Sequence, residues 1–190
     1  MGPGDRAAVQ SLADGEVTRV ARYEVRRLAP DDWPTFRDLR LTMLTESPDA
    51  FWSSAERERA YDETRWRTML GGRGMTVAAF RDGDPVGLAS GKPAPPRERG
   101  EAPPAGEAEL VGMWVAPDAR GTGVADLLVR DVRSWAADAG YHLLALWYTD
   151  GNTSARRLYE RTGFTATDET EAHPTRPGLR GRRMVHPLGG

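Results

Sequence analysis

The stretch ELVGMWVAPDARGTGVADLLV, residues 109–129, decides the fold of this chain. Its first third is apolar enough for a buried strand, a tight turn of basic and glycine residues follows, and an amphipathic segment comes next. We expect that segment to be a helix whose first residues are Gly121, Thr122 and Gly123. The first N–H groups of a helix lack partners within it and lie at the positive end of its dipole. This strand, turn and helix therefore predict an anion site, most often one for phosphate.

Hydrophobic periodicity on both sides of this stretch predicts a mixed α/β (α+β) layout. A nearly all-apolar strand follows the helix, as expected where helices cover both faces of a sheet. An Asp-Gly turn near residue 83 indicates a hairpin before the stretch. In chain order, the predicted elements are a strand at 23–28, helices at about 32–45 and 54–70, hairpin strands at 75–81 and 85–91, the central strand at about 108–116, a helix to 139, a strand at 143–148, a helix at about 153–161, and strands beginning at 164 and near 182.

Length and local composition predict the domain organisation. The 190 residues are enough to bury the core of one domain. Residues 1–21 show no sustained periodicity, and we expect a flexible tail there. Residues 22–190 are predicted to form a single domain, with an exposed Pro-rich loop insertion at 92–107.

Composition argues against several classes of function. A formal net charge of −2 gives no electrostatic reason to expect a nucleic-acid partner. No run of about 18 apolar residues is present, so no membrane span is predicted. The absence of Cys excludes disulfides, thiolate metal sites and a covalent cysteine intermediate, and the three His show no metal-ligand spacing. The first residues lack the apolar segment of a secretory signal, and we therefore expect a cytoplasmic protein.

The turn at Arg120-Gly-Thr-Gly123 has two readings when it stands alone. It is either an anion site, to which Arg120 adds a bidentate donor, or a tight connection from strand to helix. The dinucleotide fingerprint G-x-G-x-x-G fails because Asp126 stands where the third Gly belongs. The P-loop pattern also fails, since no Gly-Lys-Ser/Thr follows the turn.

A second motif favours the anion site. The segment NTSARRLYERTGF, residues 152–164, follows the next buried strand. Together with the Val-Ala-Pro before the turn and the R-x-x-G-x-A pattern of 120–125, it resembles the GNAT superfamily of acetyl-CoA-dependent N-acetyltransferases over roughly residues 22–187. The resemblance implies a mixed, mostly antiparallel central sheet, splayed between its fourth and fifth strands and flanked by helices on both faces.

The resemblance also implies which residues hold the acetyl-CoA cosubstrate. Its pantetheine arm would bond like an added strand to the backbone of Met113 and Val115, and Asn152 would bond the pantetheine amides. Asn152 equally suits an N-cap for the following helix. The pyrophosphate would lie on the turn, whose matching residues are Arg120, Gly121, Thr122, Gly123, Val124 and Ala125.

Two catalytic roles have candidate residues. In the family, the Tyr matching Tyr159 protonates or hydrogen-bonds the departing CoA sulfur, and packing of a buried Tyr against Phe164 is the alternative. Strict alternation would put Glu109, Val111, Met113 and Val115 on one face of the central strand. Several family members carry a Glu at the strand position of Glu109, which makes it the candidate general base. Glu107 is the second candidate, and solvated entry to the strand is the alternative for both.

The sequence signal for residues that contact the acceptor is less specific. Phe51 and Trp52 occupy the region that walls the acceptor site in this family, and ordinary core anchoring fits them equally well. The function implied is transfer of an acetyl group to a primary amine of a small molecule or protein, by direct attack in a ternary complex without a metal. The alternative is a non-catalytic acyl-CoA-binding or sensor domain. A homodimer is expected at the level of the family.

Overall fold

The computed structural model describes residues 18–20, 23–96, 101–174 and 176–189. Eight strands and five α-helices occur in these ranges. In chain order they are β1 (Thr18–Val20), β2 (Tyr23–Arg27), α1 (Trp33–Glu46), α2 (Ala55–Arg59), α3 (Glu63–Leu70), β3 (Met75–Arg81), β4 (Asp84–Pro93), β5 (Glu107–Val115), α4 (Val124–Asp138), β6 (Leu143–Thr149), α5 (Thr153–Arg161), β7 (Thr165–Ala172) and β8 (Arg180–Pro187).

The strands form one sheet in the order β1-β2-β3-β4-β5-β6-β8-β7. All neighbours are antiparallel except β5 and β6, which are parallel. One core layer lies between the sheet and helices α4 and α5, where Leu128, Val132 and Leu158 are buried. A second layer lies against α1 and α3 on the other face, around Met43 and Trp66. The predicted mixed, mostly antiparallel sheet with helices on both faces is confirmed.

Strands β5 and β6 pair along only part of their length. The parallel ladder runs from Glu107 opposite Leu143 to Leu110 opposite Leu146, and the remainder of β5 has no partner in β6. The buried side chains near the ladder hold the two strands together at one end, while α5 and the turn before it pass near the other. This is the predicted splay. It falls between the fifth and sixth strands because the short β1 adds one to the count.

A β-bulge interrupts β5 at the start of the splayed half. Ser90 of β4 pairs with Val111 and Leu88 pairs with Trp114, so β5 contains one residue more than β4 in this interval. Gly112 accommodates the bulge with a φ of 63°, which a residue with a Cβ rarely adopts.

The bulge overturns one prediction about side-chain direction. Glu109 lines a cavity beside α1 and α3, whereas Met113 and Val115 pack against the α4 layer. Trp114 instead joins the α1 layer. Unbroken alternation wrongly placed Met113 and Val115 on the face of Glu109, because one inserted residue reverses every side chain beyond it.

Several predicted boundaries also differ from the structure. Residues 18–20 fall within the predicted tail but form a strand opposite β2, while the rest of the tail lies outside the described residues. The predicted loop at 92–107 is shorter at both ends, since Lys92 belongs to β4 and Glu107 to β5, and its residues 97–100 lie outside the described residues. Helix α4 begins at Val124, with Gly123 as its N-cap, rather than at Gly121.

Candidate active site

Two cavities meet at the bulge of β5. A small one of about 70 Å³ lies towards α5 and is lined by Asn152 and Tyr159. A larger one of about 630 Å³ lies towards α1 and α3 and is lined by Glu109. The residues that line both cavities are Ala50, Phe51, Leu110, Val111, Gly112 and Trp147. The splayed strand therefore separates two compartments that touch at Leu110–Gly112.

The turn before α4 presents backbone N–H groups at the helix start. Gly121 and Gly123 have φ values of 76° and 89°, and a Cβ on either would meet no atom within 4 Å. Glycine is therefore suited to these positions by backbone conformation rather than by lack of space. In the described part of the chain, no N–H from 121 to 125 donates to another backbone group, and the next one, that of Asp126, donates to the Gly123 carbonyl at 3.1 Å.

The negative charge at the start of α4 is neutralised within the protein. Asp126 receives two hydrogen bonds from Arg161 at the end of α5, Nε to Oδ1 at 2.8 Å and Nη2 to Oδ2 at 2.9 Å. These bonds hold the pKa of Asp126 below its ordinary value. An anion at the turn consequently meets a paired carboxylate, and α5 is tied to the helix start.

Two of the Arg120 donor nitrogens are engaged by the protein itself. Its Nε donates to the Val115 carbonyl at 2.9 Å, and its Nη2 donates to Glu46 Oε2 at 2.9 Å. The same Glu46 oxygen accepts the indole N–H of Trp114 at 3.0 Å. In this geometry Arg120 links the turn to α1 and β5, where the sequence suggested a bidentate ligand for the anion.

The small cavity holds the two polar residues of the second motif. Asn152 caps α5, its Oδ1 accepting the Ala155 N–H at 3.0 Å. The Nδ2 donor of the same amide takes no part in this bond, and Asn152 lines the cavity. Tyr159 is 6% exposed and packs edge-on against Phe164, with ring centroids 5.8 Å apart. Burial raises the pKa of Tyr159 well above its ordinary value, so the hydroxyl keeps its proton throughout the physiological range.

The two candidate bases have different surroundings. Glu109 lines the larger cavity and pairs with Lys92, Oε2 to Nζ at 3.1 Å. Glu107 is buried in an ion pair with Arg183, Oε1 to Nη2 at 2.7 Å, and lines neither cavity. Nearby, burial and then the charge of Glu109 raise the pKa of Glu171 in β7. Glu109 is therefore the candidate base that borders one of these two cavities.

The aromatic residues before α2 lie where the cavities meet. Phe51 borders both cavities and Trp52 borders the larger one, so both predicted wall residues are at the site. Trp52 packs against Trp147 of β6, with centroids 5.8 Å apart. Sequence reasoning missed Arg40 and also Trp147 of β6. The position of Trp147 in an apolar strand indicated only a core residue.

Two negative findings concern the described ranges alone. Within them, no three His, Asp or Glu side chains are grouped in a way that could hold a metal ion. None of the helices seen there is both long and apolar enough to cross a membrane.

Comparison with known proteins places this geometry in a family. A family model described as "Acetyltransferase (GNAT) family" matches residues 39–164. Mycothiol acetyltransferase of Pseudarthrobacter chlorophenolicus is 39% identical over 69 residues, which are 36% of this chain and 21% of that protein. The chain thus matches only about a fifth of the length of that relative.

Solved structures share the whole fold. A GCN5-related N-acetyltransferase from Kribbella flavida is 25% identical, with a TM-score of 0.68 over 88% of this chain and 98% of that one. The putative acetyltransferase yncA of Salmonella typhimurium, solved with its cofactor acetyl-CoA, is 18% identical, with a TM-score of 0.72 over 90% of this chain and 96% of that one. The second likeness is one of fold alone.

The Glu46 network gives a prediction for stability. Although burial acts in the opposite direction, hydrogen bonds from Ser47, Trp114 and Arg120 hold the pKa of Glu46 below its ordinary value of 4.5. Glu46→Gln should cost about 1 kcal/mol of unfolding free energy near neutral pH, because a charged acceptor for these donors is lost. A lowered pKa stabilises the fold above the unfolded value. The difference from wild type should therefore be complete above that value and shrink as pH falls through the lowered pKa.

Urea unfolding at a series of pH values measures this difference. Glu101→Gln, at an exposed position in the loop before β5, is the matched control and should leave stability unchanged. A Glu46→Gln deficit that persists undiminished at acid pH would show that the charge of Glu46 is not the cause.

Proposed function

The chain belongs to the GNAT acetyltransferase family, and on that premise we propose that it transfers the acetyl group of acetyl-CoA to a primary amine by direct attack. The observation that supports this most is the small cavity between the unpaired half of β5 and α5. One wall offers unpaired backbone of β5, and the opposite wall carries Tyr159. The turn at residues 120–123, called the anion turn below, follows β5 in the chain. An extended ligand with an anionic end fits that arrangement.

We propose that the splayed half of β5 and the turn bind acetyl-CoA together. The pyrophosphate would accept hydrogen bonds from the N–H groups of 121–125, at the positive end of α4. The pantetheine would run along the backbone of Met113 and Val115, with the Asn152 Nδ2 as a donor to one of its carbonyls. Because the Val115 carbonyl already accepts from Arg120, the arm would rely mainly on the remaining groups of this segment.

The acceptor amine would enter through the larger cavity and lose its proton to Glu109. An alkyl amine with a pKa near 10.4 is neutral in about one molecule in a few thousand at pH 7, which costs roughly 4 to 5 kcal/mol. The neutral nitrogen would then attack the thioester carbonyl carbon, and a backbone N–H of Met113 or Val115 would stabilise the negative oxygen. The N–C bond forms, the attacking nitrogen gives up its second proton to solvent, and the C–S bond breaks with the electron pair leaving on sulfur.

Tyr159 would act on that sulfur as a hydrogen-bond donor. With ordinary pKa values, full proton transfer from Tyr to a free thiolate is already uphill by roughly 2 kcal/mol. Burial raises the pKa of Tyr159 further, so donation to the developing charge, rather than complete transfer, is the role that fits. The CoA thiolate would take its proton from solvent after release.

Three finer features belong to this proposal as well. The acceptor is an amine of a small molecule or a protein, the protein works in the cytoplasm, and a homodimer is the expected assembly for this family. A thiol-release assay with acetyl-CoA and a panel of amines tests the function itself. Binding of acetyl-CoA with no release of CoA on any amine would favour a non-catalytic sensor instead.

The anion turn can be tested with a matched pair of glycine variants. Gly123→Ala and Gly140→Ala each place a Cβ at a positive φ, of 89° and 80°, with no atom within 4 Å. Both should lose about 1–2 kcal/mol of stability from the same backbone strain. Only Gly123→Ala should weaken acetyl-CoA binding, by about tenfold or more, because it displaces the N–H groups of the turn.

Isothermal titration calorimetry with acetyl-CoA measures the affinities, and thermal unfolding measures the strain. Equal affinities of the two variants for acetyl-CoA would argue against the turn as the phosphate site.

The role of Tyr159 predicts a selective loss of turnover. Tyr159→Phe should lower kcat by about 10²-fold, because the donor to the leaving sulfur is lost, while the KM for acetyl-CoA changes little. Tyr148→Phe is the matched control, since Tyr148 lines the same cavity with its ring 6.5 Å from that of Tyr159. Steady-state kinetics at saturating acceptor measures this loss. If both variants kept the kcat of the wild type, Tyr159 would have no role in the mechanism.

A further inference from the structure

Positively charged residues outnumber negatively charged ones in the lining of the larger cavity. Arg40, Arg65, Arg73 and Lys92 border it, whereas Glu109 is the one carboxylate that does so among the described residues. Lys92 is paired with Glu109, so that pair is neutral. Arg65 and Arg73 make no ion pair with any other residue in the described ranges. Arg40 is also paired, with the buried Glu58, so Arg65 and Arg73 carry the excess of positive charge that attracts an anionic group into this cavity.

Arg40 is held at the inner end of the cavity. Its Nε donates to Oε2 of the buried Glu58 at 3.0 Å, and its Nη2 donates to Oε1 of the same carboxylate. Glu58 is 2% exposed, and the Arg40 side chain is 15% exposed. A paired guanidinium of this kind cannot change rotamer without leaving a buried charge unpaired, so its orientation is fixed.

The fixed orientation turns the remaining edge of Arg40 towards the bulge. A Cβ built on Gly112 would lie 3.4 Å from Nη1 of Arg40. Gly112 lines both cavities, so Nη1 lies beside the point where an acceptor from one side meets an acyl group from the other. An anion bound by Nη1 would therefore lie within a few bonds of the reacting amine.

We propose that the acceptor is an amine bearing a carboxylate close to the nitrogen, as in a free amino acid, with Arg40 holding the carboxylate. This rests on the proposed acetyltransferase function and narrows its acceptor class. A protein N-terminus would present a neutral peptide carbonyl to Arg40 in place of a charged carboxylate. A polyamine would bring additional positive charge against Arg40, Arg65 and Arg73.

The wild-type test compares matched acceptors. Free α-amino acids, their amides and the corresponding decarboxylated amines are assayed for kcat/KM by CoA release, together with short peptides with the same N-terminal residue. We expect the free acids to be preferred by about 10- to 100-fold, the usual worth of a hydrogen bond to a charged group. An α-amino group beside an amide has a pKa of about 7.7–8.0 and so a larger neutral fraction, which biases the comparison against the proposal.

Two changes at Arg40 separate recognition from folding. Arg40→Lys keeps a cation against Glu58 but loses the planar fork, and the pair Arg40→Gln with Glu58→Gln removes both charges together. Each should reduce the preference for acid over amide to less than about threefold, a loss of most of the gain from the charged hydrogen bond. The affinity for acetyl-CoA should remain that of the wild type. Arg57→Gln, at an exposed position on α2 outside the cavity lining, is the control and should keep the full preference.

The outcomes separate a failure of the carboxylate proposal from a failure of the acetyltransferase function on which it rests. Failure to bind acetyl-CoA refutes the proposed function. Two outcomes refute the carboxylate proposal alone. In the first, the protein binds acetyl-CoA and uses amides, decarboxylated amines or peptides as well as the free acids or better. In the second, it binds acetyl-CoA but transfers the acetyl group to no carboxylate-bearing amine. A wild-type preference for acids that survives unchanged in both Arg40 variants would refute the role of Arg40.

Discussion

The splayed half of strand β5 lacks a hydrogen-bonding neighbour in β6, and the remainder of the site is arranged around that gap. Buried backbone groups require partners, and the ladder with β6 ends at Leu110. The bulge at Gly112 lies just beyond this point, so the strand opens and reverses its side chains within two residues. One cavity forms on each side of the strand, and the anion turn continues from its end. A single interruption in pairing thus creates the two cavities and the point at which they meet.

Much of the fold was predictable because local signals agreed with the final packing. The apolar runs gave the central strands, and the Asp-Gly turn gave the hairpin of β3 and β4. The family resemblance carried by the two motifs implied the splayed sheet and the site residues, and Tyr159, Asn152 and Phe51 do border a cavity there. The strands and the hairpin follow from patterns within about 15 residues, which is the range over which sequence periodicity carries information.

The remaining features depend on contacts between distant segments. The bulge follows from how β5 pairs with β4, and alternation alone therefore misplaced Met113 and Val115. Glu46 reaches Arg120 from 74 residues away, so that Arg120 also links helix α1 to the turn. The pairing of Arg40 with Glu58 likewise appears only when α1 packs on α2. No local pattern marks a charged residue as the partner of another distant one.

Backbone hydrogen exchange with and without saturating acetyl-CoA tests the central claim most directly, because it reads the unpaired strand itself. We expect binding to slow exchange in two segments, 111–115 and 121–125, as their N–H groups gain ligand partners. Strands β2 and β3, which are remote from the gap, should exchange at the same rates in both states. If acetyl-CoA binds and exchange in both segments is unchanged, the splayed strand and the turn are not its binding site.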